Sequence, residues 1–131
     1  MRTLALAALA ALAFPARPAG AAEDVDVTAG VVTGVDCALA AREKGDLRRL
    51  TACPPAQAAK GIVVFDVAER RIYRIAGKKV LTSQLESAYG GGSIDFAGKV
   101  TSVDAKEIAT VEVAEFSITK KPKPGAFKGC L

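Results

Sequence analysis

Polar and apolar residues alternate over Asp24-Val25-Asp26-Val27-Thr28, and with Val31, Val32 and Val35 they make a β-rich stretch reaching Asp36. Gly30 and Gly34 mark bulges or bends within it. The period then changes. Ala38, Leu39, Ala40 and Ala41 favour helix, Gly45 interrupts, and Asp46 is placed to cap a second turn whose apolar residues are Leu47 and Leu50. Cys53-Pro54-Pro55 stops this helical segment. Ile62-Val63-Val64-Phe65 is a short strand of the fully buried type, Asp66 to Arg70 turns, and Arg71-Ile72-Tyr73-Arg74-Ile75 returns, so the pair predicts a hairpin. Ser83-Gln84-Leu85-Glu86 has the form of a capping box, with Leu81, Leu85 and Ala88 on one face and Gly90-Gly91-Gly92 ending the helix. From Ser93 to Val103, Ile94, Phe96, Gly98 and Val100 share one side and Lys99 and Thr101 the other. After a turn at Asp104 to Lys106, Glu107 to Ile118 alternates again through Ala109, Val111 and Val113.

The predicted order is strand, helical insertion, strand, strand, short helix, strand, strand. A mainly β fold of this order is a five-stranded OB-like Greek-key barrel with a helical insertion after strand 1 and a short helix between strands 3 and 4. The position of the short helix separates this plan from a simple meander. The rival is a six-stranded sandwich with an extra strand hidden in residues 23 to 36.

Composition modifies the picture at the two ends. Arg2, the eleven apolar residues from Leu4 to Phe14, and Ala19-Gly20-Ala21 have the three parts of an export signal, so residues 1–21 are expected to be removed. Those 21 residues hold 15 apolar side chains, so the overall 50% hydrophobic content overstates the rest. About 110 residues remain, enough for one small domain (22–118) and too few for a multidomain enzyme or a TIM barrel. No later stretch has the 18 consecutive apolar residues of a spanning helix, and no cysteine at the cleavage point suggests a lipid anchor. Charge is uneven: residues 22–115 carry 12 basic and 14 acidic side chains, a net −2, whereas Lys120, Lys121, Lys123 and Lys128 make the tail, 119–131, basic. The calculated pI near 9 therefore describes a tail and not a nucleic-acid-binding surface.

Gly30-Val31-Val32-Thr33-Gly34-Val35-Asp36-Cys37, Cys53 at the end of a helical loop, Tyr73 on an aromatic strand and Gly98-Lys99-Val100-Thr101 resemble a family of small exported bacterial OB-fold proteins of poorly defined role. The resemblance spans roughly residues 27 to 116 and implies the barrel. Asp36 and Cys37 are adjacent here without a spacer, and Cys53 stands alone where relatives carry further cysteines. It therefore implies no metal or redox role.

With no His or Trp and one Met, imidazole catalysis, His-ligated metals and His-ligated haem are excluded, and no cofactor is expected. Three cysteines allow three single bridges; Cys37 to Cys53 staples one inserted loop and is favoured in an oxidising compartment, with Cys130 left free or paired between chains. A redox-active or metal-binding pair is the sharper alternative, but the spacing is not Cys-x-x-Cys and zinc would need further ligands. OB barrels bind along the strand 2 and 3 face, framed by the loops between strands 1 and 2 and strands 4 and 5. On that plan Arg71, Tyr73 and Arg74 are candidate ligand contacts on an exposed face, with Lys99 a weaker one. The plainer alternative makes Arg71 a solvated edge charge and has Tyr73 cover the barrel mouth. Specific nucleic acid is disfavoured, because only two Tyr residues are present and most Phe positions read as core. Gly90-Gly91-Gly92-Ser93 ends a helix and lacks a following Gly-Lys-Ser or Gly-Lys-Thr, so it is not a phosphate loop. Glu23, Asp24 and Asp26 read as a frayed, solvated terminus before a weak calcium site, and so small a barrel leaves little room for a glycosidase-type carboxylate pair. The expected function is an exported, non-enzymatic binding module of the cell envelope, its partner a protein or oligosaccharide. The alternative is a thiol-based redox or metal-handling protein using Cys37 and Cys53.

Overall fold

Each alternating run becomes a strand, and the five strands close on one another. The structure, a computed structural model, describes residues 23–120. In chain order these form β1 (Glu23–Gly34), α1 (Val35–Lys44), α2 (Arg48–Thr51), a 3-10 helix (Pro55–Lys60), β2 (Ile62–Asp66) and β3 (Arg71–Ala76). They continue with α3 (Thr82–Ala88), β4 (Ser93–Val103) and β5 (Ile108–Thr119). The closed order β1-β2-β3-β5-β4 is OB-like, with β3 and β5 parallel and every other pairing antiparallel.

Residues 23–34 are one long strand, which disposes of the sandwich. Glu23 to Val31 pair with β4, and Val31 to Gly34 pair with β2. Serving two neighbours requires a bend, and the register shifts between Val27 and Gly30, where Ala29 takes φ 56°. Gly30 has to be glycine because a Cβ there would run into Val64 Cγ1. The acidic start is not frayed: Glu23, Asp24 and Asp26 pair with Val100, Lys99 and Ala97. The strand also ends earlier than its alternation suggests. A Cβ on Gly34 would lie 2.9 Å from Gln57 Cβ and 3.0 Å from Cys53 Sγ, so the chain turns there against the insertion. Val35 donates its N–H to Gly61 O (3.1 Å), and Asp36 and Cys37 belong to the first turn of α1.

Two apolar layers follow from the period of two. Val27, Val32, Val64, Tyr73, Ile94, Phe96, Val100, Val111 and Val113 fill the lumen, where the Tyr73 and Phe96 rings meet edge to face at 5.6 Å. Val80, Leu85 and Ala88, from α3 and the segment before it, plug one end. The cap of α3 differs from the predicted box: Gln84 Oε1 accepts the Leu81 N–H (2.8 Å). Leu81 has no side-chain acceptor, so only half of a reciprocal cap forms, and Ser83 and Glu86 take no part. As predicted, glycines end this helix, with Gly90 at φ 83° and Gly91 at φ 147°.

The second layer lies outside the barrel. Val63 and Phe65 of β2, Ile72 of β3 and Ile108 of β5 are buried under Ala38 and Ala41 of α1 and Leu50 of α2. Small residues on α1 let the helix approach the sheet closely. Gly45 ends it in the left-handed conformation (φ 71°), its N–H on Ala41 O at 2.9 Å. Two expectations fail in the next turn. Leu47, not Asp46, is the N-cap of α2 and its side chain is exposed, while Asp46 spends its carboxylate on Arg49 Nε (3.2 Å). The cause is length: a four-residue helix buries only Leu50. Cys37 and Cys53 are bonded, with Cα atoms 6.0 Å apart and both residues 6% exposed, closing the insertion on itself. A loop of this length stabilises the fold by about 3 kcal/mol.

Candidate functional site

The end of the barrel opposite α3 is closed by a charge pair. Arg71 opens β3 and, two residues on, Tyr73 shares its face. Tyr73 is only 2% exposed, because that face points into the lumen, so the expected exposed ring is corrected to a core ring. The Arg71 guanidinium stands over it, 5.1 Å from its centroid, and donates to Glu23 Oε2 (3.2 Å) and Oε1 (3.4 Å). Burial pulls the Arg71 pKa down, but the hydrogen bonds to Glu23 and the surrounding negative charges outweigh it and hold the pKa above its ordinary value. Burial likewise raises the Tyr73 hydroxyl, which Arg71 only partly offsets. The plainer sequence alternative is thus inverted: Arg71 covers the mouth and Tyr73 lies beneath.

The other predicted contacts do not join them. Arg74 is on the opposite face of β3, with Nη1 3.5 Å from Asp104 Oδ2 in the β4–β5 turn. Asp104 is held below the usual carboxylate range, first by the Ile108 N–H (3.0 Å); desolvation opposes this, and the Lys106 N–H (2.9 Å) and Arg74 add to the lowering. Lys99 stands on the outer β1–β4 face, its Nζ 4.0 Å from Asp24 Oδ1. It lines a shallow depression of about 360 Å³ with Asp24, Asp26 and Ala97.

What Arg71 does join is a cleft of about 270 Å³ lined by Arg42, Arg70, Arg71, Val103, Glu107 and Ala109. Arg42, in the last turn of α1, is 19% exposed and reaches the β4–β5 turn, donating from Nη2 to Lys106 O (2.8 Å) and from Nη1 to Glu107 O (3.4 Å). Arg70 Nη2 in turn donates to Arg42 O (2.7 Å). Among the described residues, Arg70 and Glu107 are two of three non-glycine residues with positive φ, at 54° and 61°. Each such backbone costs on the order of 1 kcal/mol and persists only where its surroundings hold it. Both are tied to Arg42, so the insertion, the β2–β3 turn and the β4–β5 turn meet in one network.

Neither Arg42 nor Arg70 stands among the residues predicted from sequence. Arg42 had a signal: it falls four residues after Ala38, on the helical face that meets the sheet. Arg70 had none, since a left-handed Arg in a turn has no sequence signature.

Among the described residues, no group of three or more His, Cys, Asp or Glu side chains is placed to hold a metal ion, and no helix is long and apolar enough to cross a membrane. The predicted export signal, Cys130 and the lysines after Lys120 lie outside the described residues. Compared with protein-family models, curated proteins and solved structures, the chain matches none, so any reading of function rests on the cleft and its surroundings.

Proposed function

We propose that the protein is an exported, non-enzymatic binding module of the cell envelope whose ligand, a protein or an oligosaccharide, docks at the rim cleft. One observation carries this reading: Arg42, Arg70 and Arg71 line a cleft between the insertion after β1 and the β4–β5 turn. These are the two loops that frame ligand sites in OB barrels. The outer β2–β3 face that such barrels otherwise offer is spent on Ala38, Ala41 and Leu50. Guanidinium groups stay protonated throughout the range in which proteins are folded, so the three arginines of this cleft hold charge and do not trade protons. The Cys37–Cys53 bridge and the three-part N-terminal pattern support export. Burial of both cysteines favours a staple over redox turnover.

The test is an amide-shift titration of the disulfide-intact chain with envelope-derived peptides and oligosaccharides. Shifts confined to residues 42, 70, 71, 103 and 107 support the reading. Ligand-induced shifts confined to the β1–β4–β5 outer face would move the site elsewhere.

A further inference from the structure

We infer that the outer face of β1, β4 and β5 is the docking surface of this chain's own basic tail, residues 121–131, which folds back and sets its lysines and Phe127 on it. The inference is independent of the rim-cleft reading. Alternation along β4 builds the face. Ile94, Phe96 and Val100 belong to the lumen, so Asp95, Ala97 and Lys99 stand on the other side, flanked across the strands by Asp24 and Asp26 of β1 and by Glu115 and Ser117 of β5. The outer side of β2 and β3 is buried under α1 and α2, whereas here Asp24, Asp26, Asp95, Lys99 and Glu115 are all exposed.

Charge selects the occupant. Asp24, Asp26, Asp95 and Glu115 set four carboxylates against one ammonium, Lys99, whose Nζ stands 4.0 Å from Asp24 Oδ1, so three negative charges are left over. Asp95 accepts the Ala29 N–H (2.6 Å), a neutral donor. Among the described residues, neither Asp26 nor Glu115 has an ion-pair partner. These two flank Ala97 on its two neighbouring strands, within a Debye length of each other at physiological salt. The complement lies directly downstream: Lys120, Lys121, Lys123 and Lys128, with no acidic side chain after Glu115.

Reach agrees with charge. Ser117 pairs with Asp95 and Thr119 with Ser93, so the chain leaves the sheet two residues past a depression of about 290 Å³ lined by Asp26, Asp95, Ala97, Glu115 and Phe116. Two strand residues are about 7 Å, and the chain from Lys120 to Phe127 spans up to about 23 Å. Pro124-Gly125 suits the central positions of a type II turn, which sends the chain back toward the sheet. Half-buried Ala97 and Phe116 give the depression an apolar patch for the Phe127 ring. The tail of a second copy carries the same chemistry, but a short tether holds the chain's own tail at an effective concentration of about millimolar.

The experiment attaches a nitroxide to Cys130 of the full exported chain, with the Cys37–Cys53 bridge intact, and follows paramagnetic broadening of the amide signals. The expected result at low salt is strong broadening at residues 26, 95, 97, 115 and 117. It should be lost at about 1 M salt, where the Debye length falls to about 3 Å. The Asp26→Asn, Glu115→Gln double variant should lose it at low salt as well. Both substitutions are at exposed positions, and unchanged amide positions in the lumen show that the barrel is intact. Broadening that persists in the double variant, is absent from this face, or centres on residues 42, 70 and 71 overturns the inference. A tagged chain that broadens this face on an untagged, isotope-labelled chain also overturns it, by assigning the face to the tail of a second copy.

Discussion

The guanidinium of Arg71 lies 5.1 Å from the centre of the Tyr73 ring and closes the barrel above it. A cation–π contact at a half-buried site is worth about 1 kcal/mol, and a half-exposed pair such as Arg71 with Glu23 adds less than that. The ring itself is worth far more. Tyr73→Ala is expected to cost about 3–5 kcal/mol, as for other buried aromatic truncations, and Arg71→Ala about 1–2 kcal/mol. Urea unfolding checks both. A Tyr73→Ala protein as stable as the parent would place the ring outside the core. Tyr73→Ala is for the same reason a poor probe of ligand contact, since it perturbs the lumen first.

The bridge should be visible by counting. With Cys37 and Cys53 bonded, a denatured, unreduced chain is expected to show one reactive thiol per monomer, or none in a dimer covalently linked through Cys130. Three thiols would mean the pair is reduced. The Cys37→Ser, Cys53→Ser double variant should lose about 3 kcal/mol of stability. It should also bind a hydrophobic dye more readily, because the insertion that covers Val63, Phe65, Ile72 and Ile108 loses its staple.

How far these relationships can be read from the chain depends on which physical signal each one leaves. β4 is legible to its ends, Ser93 and Val103, because one of its faces is core and the other solvent over most of its length. β2 shows the opposite pattern: Val63, Val64 and Phe65 are all buried since both its faces are covered, by the lumen and by α1. That double cover hides which way β3 faces. The period of two correctly puts Arg71 and Tyr73 together, but with Ile72 also buried nothing local says which of the two faces is the lumen. The 3-10 helix at Pro55–Lys60 buries no side chain, so it leaves no periodicity to read. The end of β1 is set by crowding at Gly34, a tertiary fact that alternation through Val35 obscures.

One buried polar atom should be removable at a gain. Thr33 is fully buried in β1 and its Oγ1 has no hydrogen-bond partner among the described residues. Desolvating a hydroxyl without a compensating bond costs about 1–3 kcal/mol. Thr33→Val keeps the β-branched shape and is expected to raise stability by about 1 kcal/mol. A loss of stability in thermal melts would show that the hydroxyl is satisfied after all.

The Asp104 carboxylate ties the β4–β5 turn together through two backbone N–H groups and Arg74. Its pKa is lowered in the folded state, so its contribution is fully present above the unfolded carboxylate value, about 3.9. The contribution is lost as pH falls from there through the lower folded value. An NMR titration of the side-chain carboxyl should give a midpoint below that of a free Asp. Asp104→Asn should reduce the dependence of stability on pH below about 4. A midpoint at or above the ordinary value would contradict the hydrogen bonds on which the turn depends.

Arg70 offers the sharpest separation of stability from binding. Its φ of 54° lies where a side chain is strained and glycine is not, which favours Arg70→Gly by on the order of 1 kcal/mol. Against this stand the lost bond from Nη2 to Arg42 O and the greater freedom of a glycine in the unfolded chain, each worth about 0.5–1 kcal/mol at an exposed site. The terms nearly cancel, so Arg70→Gly is expected to melt within a few degrees of the parent. Arg70→Ala keeps the strain, loses the same bond and should be the less stable of the two. Both variants remove the exposed charge, and both should weaken binding at the rim equally. Calorimetric melts and a titration with a ligand that shifts the rim-cleft amides measure the two effects side by side. If Arg70→Gly were clearly less stable than Arg70→Ala, the left-handed backbone would not be the source of strain at this turn. If Arg70→Gly bound that ligand as tightly as the parent, the guanidinium would have no part in the cleft.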